Sequence, residues 1–258
     1  MKKNTALIHH PYTPPDGFAS PAVPVYKGST VFFDSVAAMR SRTWLDRSGY
    51  TYGLHGTPTS FTLEERIATL EGGKYTMLVS SGLAAVTMVD IALLKSGDQV
   101  LLPHNVYGPN KAFTRTELAA WGISHAVYDA MDAESIAAAI TPATKLVWLE
   151  APGSVTLEFP DLRSLIRLVR ERAPQAVIAL DNTWGAGIAF DAFALGIDVT
   201  VHALTKYPSG GGDVLMGAVT CGGGDNGDAL YRTLALSRSR VGHGVGSNDV
   251  EQVLRALP

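Results

Sequence analysis

The sequence predicts an α/β fold, a mainly parallel sheet flanked by helices. Two observations lead there. Short β-branched, apolar runs alternate along the chain with stretches of helical length, which is the pattern of βαβ units. Charged residues are only 17% of the 258 residues while hydrophobic residues are 46%, a balance that fits a buried parallel sheet or a large oligomer interface. The chain is long enough to bury a substantial core in one large domain with a short appendage.

The elements follow in order. Residues 1–50 hold many prolines (Pro11, Pro14, Pro15, Pro21, Pro24) and little periodicity, so they read as an N-terminal arm that packs on a partner subunit. A helix is expected over Thr62–Leu70, capped by Thr59 or Ser60, with Glu64 and Glu65 in its first turn. Strand Tyr75–Val79 precedes helix Leu83–Lys95, and strand Gln99–Leu102 precedes a helix near Asn110–Trp121. Strand His125–Tyr128, helix Ala133–Ile140 and strand Lys145–Leu149 come next. Helix Asp161–Arg172 ends before Pro174, and two buried strands follow, Ala176–Leu180 and Ile197–Val201. Val214–Thr220 reads as a further strand and Asp228–Leu236 as a helix; Asp249–Arg255 reads as a helix cut short.

Several function classes are excluded. Lys and Arg number 21 against 24 Asp and Glu, a net charge of −3 with no basic block for nucleic acid and no acidic tail. The single cysteine, Cys221, allows neither an internal disulfide nor a cysteine zinc cluster, and reads as a small buried hydrophobe. Met1–Thr5 carries two lysines but no signal-peptide core, and the apolar helix Leu83–Leu94 is short and interrupted by Asp90. A soluble, cytoplasmic protein is expected. His104, His125, His202 and His243 lack metal-ligand spacing, and His9-His10 is an isolated dipeptide. No Gly-x-Ser-x-Gly elbow points to a serine hydrolase.

The chemistry lies at strand ends. Asp181-Asn182-Thr183 follows one buried strand and Thr205-Lys206-Tyr207 the next. Ligands of α/β sheets sit at the carboxyl ends of the strands, so an acid and an amine there can face one small molecule. Taken alone, a lysine after a strand is an ordinary loop charge. Together the pair is what pyridoxal phosphate (PLP) needs: an amine to join its aldehyde and an acid to keep its pyridine nitrogen protonated. Ser80-Ser81-Gly82-Leu83 stands where a strand turns into a helix, and reads either as a phosphate cradle or as a simple capped turn. Tyr107 follows another strand end and offers a flat ring to stack on a cofactor. Gly210–Gly212 and Gly222–Gly224 lack nucleotide-fingerprint spacing and read as loops.

Four segments in this order, Ser80-Ser81-Gly82, Tyr107, Asp181-Asn182-Thr183 and Thr205-Lys206-Tyr207, resemble the PLP-dependent enzymes of cysteine and methionine metabolism. The resemblance covers nearly the whole chain and implies an aspartate aminotransferase-like fold. It implies that Lys206 is the lysine joined to PLP and the catalytic base, that Asp181 partners the pyridinium nitrogen, and that Tyr107 is the stacking ring and second catalytic group. It also implies that Gly82, the backbone of Leu83, and Thr205 bind the phosphate. Tyr52, in Tyr50-Thr51-Tyr52-Gly53, matches the tyrosine lent to a neighbouring subunit's phosphate, so a homo-oligomer with shared sites is expected.

Within that family, Glu150-Ala151-Pro152-Gly153-Ser154-Val155 carries Ser-Val where γ-acting branches carry Asn-Pro, and Trp184 follows Asp181-Asn182-Thr183. That form is similar to bacterial cystathionine β-lyases and implies β-elimination of a thioether amino acid, a trans-sulfuration step of methionine biosynthesis. The γ-acting branches remain a second expectation, and an inactive fragment that binds PLP or a full-length subunit a third. Three departures stand out. Leu54, followed by His55, replaces an arginine of the phosphate site; Ala203 replaces a serine; and Gly210-Gly211-Gly212-Asp213 replaces a common Gly-His-Ser-Asp. The resemblance also implies a large domain over 51–245, with 246–258 as the start of a C-terminal domain that the chain does not complete.

Overall fold

The computed structural model describes Gly17 and residues 22–257; Pro11, Pro14, Pro15, Pro21 and His9-His10 lie outside the described residues. Helix α1 (Val36–Ser41) precedes α2 (Pro58–Glu71), β1 (Tyr75–Val79) and α3 (Gly82–Leu93). Next come β2 (Gln99–Pro103), α4 (Gly108–Phe113), a π turn over Thr114–Leu118, and β3 (Ser124–Tyr128). Then follow α5 (Ala133–Ala139), β4 (Thr144–Glu150), α6 (Leu162–Arg172), β5 (Val177–Asp181) and β6 (Val199–His202). Strand β7 (Gly217–Cys221), α7 (Gly224–Val241) and α8 (Ser247–Ala256) complete the described chain.

The strands form one sheet in the order β1-β7-β6-β5-β4-β2-β3. The run from β6 to β3 is parallel, and β7 pairs antiparallel with both β1 and β6. Side chains alternate between two buried faces, as strand pleating requires. In β4, Leu146 and Trp148 join one core with α3 and α7, while Val147 and Leu149 join another with α5 and α6. A third core lies under α2 and α8, around Leu63, Leu78, Met216 and Val253. Cys221 is fully buried on β7, and burial together with Asp198 pushes its thiol up to about 12.

Several boundaries differ from the sequence expectation, each for a local reason. Helix α2 starts at Pro58 because Thr57 is its cap: the Thr57 hydroxyl accepts the Ser60 N–H, and the Ser60 hydroxyl accepts the Thr57 N–H. Thr59 and Ser60 therefore sit inside the helix, and Glu64 and Glu65 lie beyond its first turn. Thr59 Oγ1 instead accepts the Tyr26 N–H (2.8 Å) and donates to Pro24 O (2.9 Å), so the Pro24–Tyr26 segment of the arm is tied to its own chain's α2. Arg47 likewise turns inward, pairing with buried Glu64 at 3.1 Å. Strand β7 begins at Gly217, because Met216 is engaged by Thr205 across a turn. Helix α7 runs eighteen residues, longer at both ends than its apolar pattern suggests.

Gly217 positions the start of α3. A Cβ there would sit 2.2 Å from the Ser81 carbonyl oxygen and 3.0 Å from the Gly82 nitrogen, both backbone atoms. Gly217→Ala is therefore expected to displace the N-terminus of α3 and destabilise the fold by about 1–3 kcal/mol, as core overpacking does. A thermal melt checks it; an unchanged midpoint would show that the two segments separate freely.

Candidate active site

The carboxyl ends of β2, β4, β5 and β6 and the N-terminus of α3 converge on a cavity of about 260 Å³. Gly82, Leu83, Tyr107, Asp181, Thr205 and Lys206 all line it, together with Ser81, Glu150, Ser154 and Trp184. This is the strand-end position at which open α/β sheets hold ligands.

At α3, Ser81 Oγ accepts the Ala84 N–H at 3.0 Å, while the first-turn N–H groups of Gly82 and Leu83 have no partner within the helix. These donors and the helix dipole favour an anion at the cavity wall. Gly82 is required by contact: a Cβ would lie 2.6 Å from that of Ala203. Ala203 thus packs on the cradle, and its N–H donates to Thr183 Oγ1 at 3.0 Å. Thr205 lines the cavity, but its hydroxyl donates to Met216 O and accepts Met216 N–H, both at 3.1 Å. That proton is already engaged.

Asp181 closes β5 and is buried, with Oδ1 accepting the Thr183 N–H at 3.0 Å. Burial raises its pKa, opposed by the Thr183 hydrogen bonds and by the charges of His202 and Lys206. Close by lies a buried network absent from the sequence reading. His202 Nδ1 meets Glu71 Oε1 at 2.9 Å, and Glu71 Oε2 accepts Asn182 Nδ2 at 2.7 Å. Lys206 sits in the turn after β6, its N–H donating to Ala203 O at 3.0 Å. Its Nζ makes no hydrogen bond or ion pair with the described residues. Lys206 is exposed.

Tyr107 is half-buried at the start of α4, and its N–H donates to Glu150 Oε2 at 2.7 Å. The loop after β4 is tied to the same segment: Ser154 N–H donates to Asn105 O (2.8 Å) and Asn105 Nδ2 to Glu158 Oε2 (2.9 Å). Val155 and Leu157 within it adopt φ of 68° and 56°, the left-handed region that a β-branched residue rarely enters. Both are exposed.

Tyr52 does not line its own chain's cavity; it is about half exposed, edge-on to His55 with ring centroids 5.8 Å apart. Both nitrogens of His55 are engaged, Nδ1 with Thr51 Oγ1 (2.8 Å) and Nε2 with Ser239 Oγ (3.2 Å), and Trp44 stacks on its ring at 4.2 Å. His55, next to Leu54, is thus held by Thr51, Ser239 and Trp44 of its own chain. Glu150 is the principal site residue that sequence reasoning passed over. Its place at the end of a buried strand, like that of Asp181, was the available signal.

The mostly parallel sheet flanked by helices is that of the large domain of aspartate aminotransferase-like, PLP-dependent enzymes. Residues 4–258 match the family described as Cys/Met metabolism PLP-dependent enzyme, and the chain belongs to that family. It is 35% identical over 259 residues to cystathionine beta-lyase of Bordetella avium, covering 97% of this chain and 63% of that protein. To cystathionine beta-lyase MetC of Escherichia coli it is 37% identical over 198 residues, 76% of this chain and 50% of the relative. Among solved structures, cystathionine gamma synthase of Xanthomonas oryzae pv. oryzae, in complex with cystathionine, superposes with a TM-score of 0.82 at 28% identity, covering 92% of this chain and 57% of that one. The chain thus spans about half to two-thirds of the length of these relatives. Among the described residues no helix is long and apolar enough to cross a membrane.

Proposed function

We propose that the chain is the PLP-binding part of a cytoplasmic carbon–sulfur lyase that cleaves L-cystathionine by β-elimination to homocysteine, pyruvate and ammonia. The observation that carries this reading is the meeting of Lys206, Asp181 and Tyr107 in one strand-end cavity walled by the start of α3. The residues fit the cofactor. The free N–H groups of Gly82 and Leu83 match its phosphate, the buried Asp181 carboxylate its protonated ring nitrogen, the Tyr107 ring its flat face, and the Lys206 amine its aldehyde. Thr205 serves the cradle by holding Met216 and the loop, with its hydroxyl engaged there.

Bound pyridoxal phosphate supplies an electron sink for the negative charge left at the substrate Cα. The chain moves the protons. Lys206, neutral once displaced by the amino substrate, removes the Cα proton at Nζ. Asp181 keeps the ring nitrogen protonated so that the sink stays open. The β-sulfur then departs with its bonding electrons and takes a proton from Lys206 or from the Tyr107 hydroxyl. One water hydrolyses the remaining three-carbon fragment to pyruvate and ammonia. The Ser154-Val155 form of the loop after β4 and the two beta-lyase relatives favour the β-cleavage. The gamma synthase likeness keeps the γ-acting reading as the second one.

Tyr52 belongs in this reading to the phosphate site of a neighbouring copy, since it is exposed and lies off its own cavity. The working unit is then at least a dimer. The test is to incubate the chain with PLP and L-cystathionine and to separate the 2-oxo acids by chromatography. Pyruvate is expected. 2-Oxobutyrate would transfer the chain to the γ-acting branches, and cofactor binding without either acid would make it a PLP-binding fragment.

A further inference from the structure

Glu150 deepens this reading and rests on it. It closes β4 directly opposite Asp181 in the parallel β4–β5 ladder. In β4 it shares the face of Leu146 and Trp148, and in β5 Asp181 shares the face of Ala179, all three hydrophobic residues belonging to the core under α3. Two carboxyl groups therefore enter the cavity side by side. Glu150 is 3% exposed. Its Oε2 accepts the Tyr107 N–H, and its Oε1 makes no hydrogen bond with the described residues.

The charged groups around it come from every neighbouring element: Asp181 from β5, Lys206 from the turn after β6 and Lys111 from α4. Lys206 is exposed, and Lys111 Nζ is engaged with His104 O at 2.6 Å. Burial raises Asp181 too, but Thr183 hydrogen bonds and the charges of His202 and Lys206 oppose that rise, whereas Glu150 accepts a single N–H. Two adjacent buried carboxyls do not both ionise readily. Burial first, and the Asp181 charge second, push Glu150 up to about 8.

We propose that Glu150 is a positioning residue that stays neutral beside an ionised Asp181, fixing the Tyr107 backbone through Oε2 and presenting the Oε1 proton to an oxygen of the bound ligand. Its neutrality keeps the site to one carboxylate, reserved for the ring nitrogen.

Two measurements on the chain without cofactor test it. Infrared difference spectra at pH 7 between the parent and Glu150→Gln should contain the carbonyl stretch of a protonated carboxylic acid, lost in the variant; a carboxylate band in its place would overturn the neutral assignment. Amide exchange at Tyr107 should quicken at least tenfold in Glu150→Ala and stay within threefold of the parent in Glu150→Gln, whose amide oxygen still accepts the N–H. Equal exchange in all three chains would overturn the positioning role. A chain that fails to bind PLP would sink the proposed function while leaving both results readable.

Discussion

Lys206→Ala is expected to lower pyruvate formation from L-cystathionine by at least about 10³-fold, the scale on which a positioned acid–base group contributes. The loss should be larger still because, in the proposed function, the same nitrogen joins the cofactor. Lys206 is the one lysine lining the cavity among the described residues, so no neighbour can replace its amine. The fold should survive: the side chain is exposed and its Nζ makes no hydrogen bond, so stability should stay within about 0.5 kcal/mol of the parent. Borohydride reduction and peptide mapping give the second readout. Cofactor should be trapped on the peptide holding residue 206 in the parent and nowhere in the variant. A variant that still releases pyruvate would remove Lys206 from the mechanism.

Asp90→Asn is expected to stabilise the chain, and more strongly at pH 8 than at pH 5. Asp90 lies on α3, wholly buried, with Oδ1 accepting Trp148 Nε1 at 2.9 Å and Oδ2 without a partner. Burial raises its carboxyl from 3.8 to about 7, against the lowering by the Trp148 bond. The sign follows from linkage. Between those values the unfolded chain has lost the proton and the folded chain keeps it, so stability falls as pH climbs from about 4 to about 7 and then levels off. Asparagine keeps the acceptor for Trp148 and has no proton to lose. At about 1.4 kcal/mol per pH unit, its advantage should grow by roughly 2–3 kcal/mol between pH 5 and pH 8. Thermal midpoints of both chains at the two pH values decide it. A variant weaker than the parent by the same margin at both would mean that Asp90 stays ionised in the core.

Much of the candidate site is legible because its residues sit where local pattern changes. Asp181 ends an apolar strand, Gly82 opens a helix after one, and Lys206 follows a third; the four ordered segments carried the family resemblance that the profile match then established. What escaped was set by contacts distant in sequence. Glu150 gains its meaning from register with Asp181 and from the Tyr107 N–H, neither visible in a local window. The Glu71–His202 contact joins residues 131 positions apart. Thr205 is expected at the phosphate by its position and lines the cavity, while the engagement of its hydroxyl with Met216, eleven residues on, is not visible in a local window. Helix ends were misread where capping chemistry rather than hydrophobic period decides them, as at Thr57 and Pro58. The antiparallel setting of β7 follows from sheet order, which alternation of elements does not encode.

The sealed thiol of Cys221 leaves the described surface blank to maleimides: it is fully buried and held protonated at neutral pH. Since the sequence contains no other cysteine, Tyr52→Cys would create a single address for a fluorescent dye. If a second molecule docks there, as the proposed function requires, a dye at that address would brighten or quench and turn the proposed shared site into a titration curve read in a cuvette.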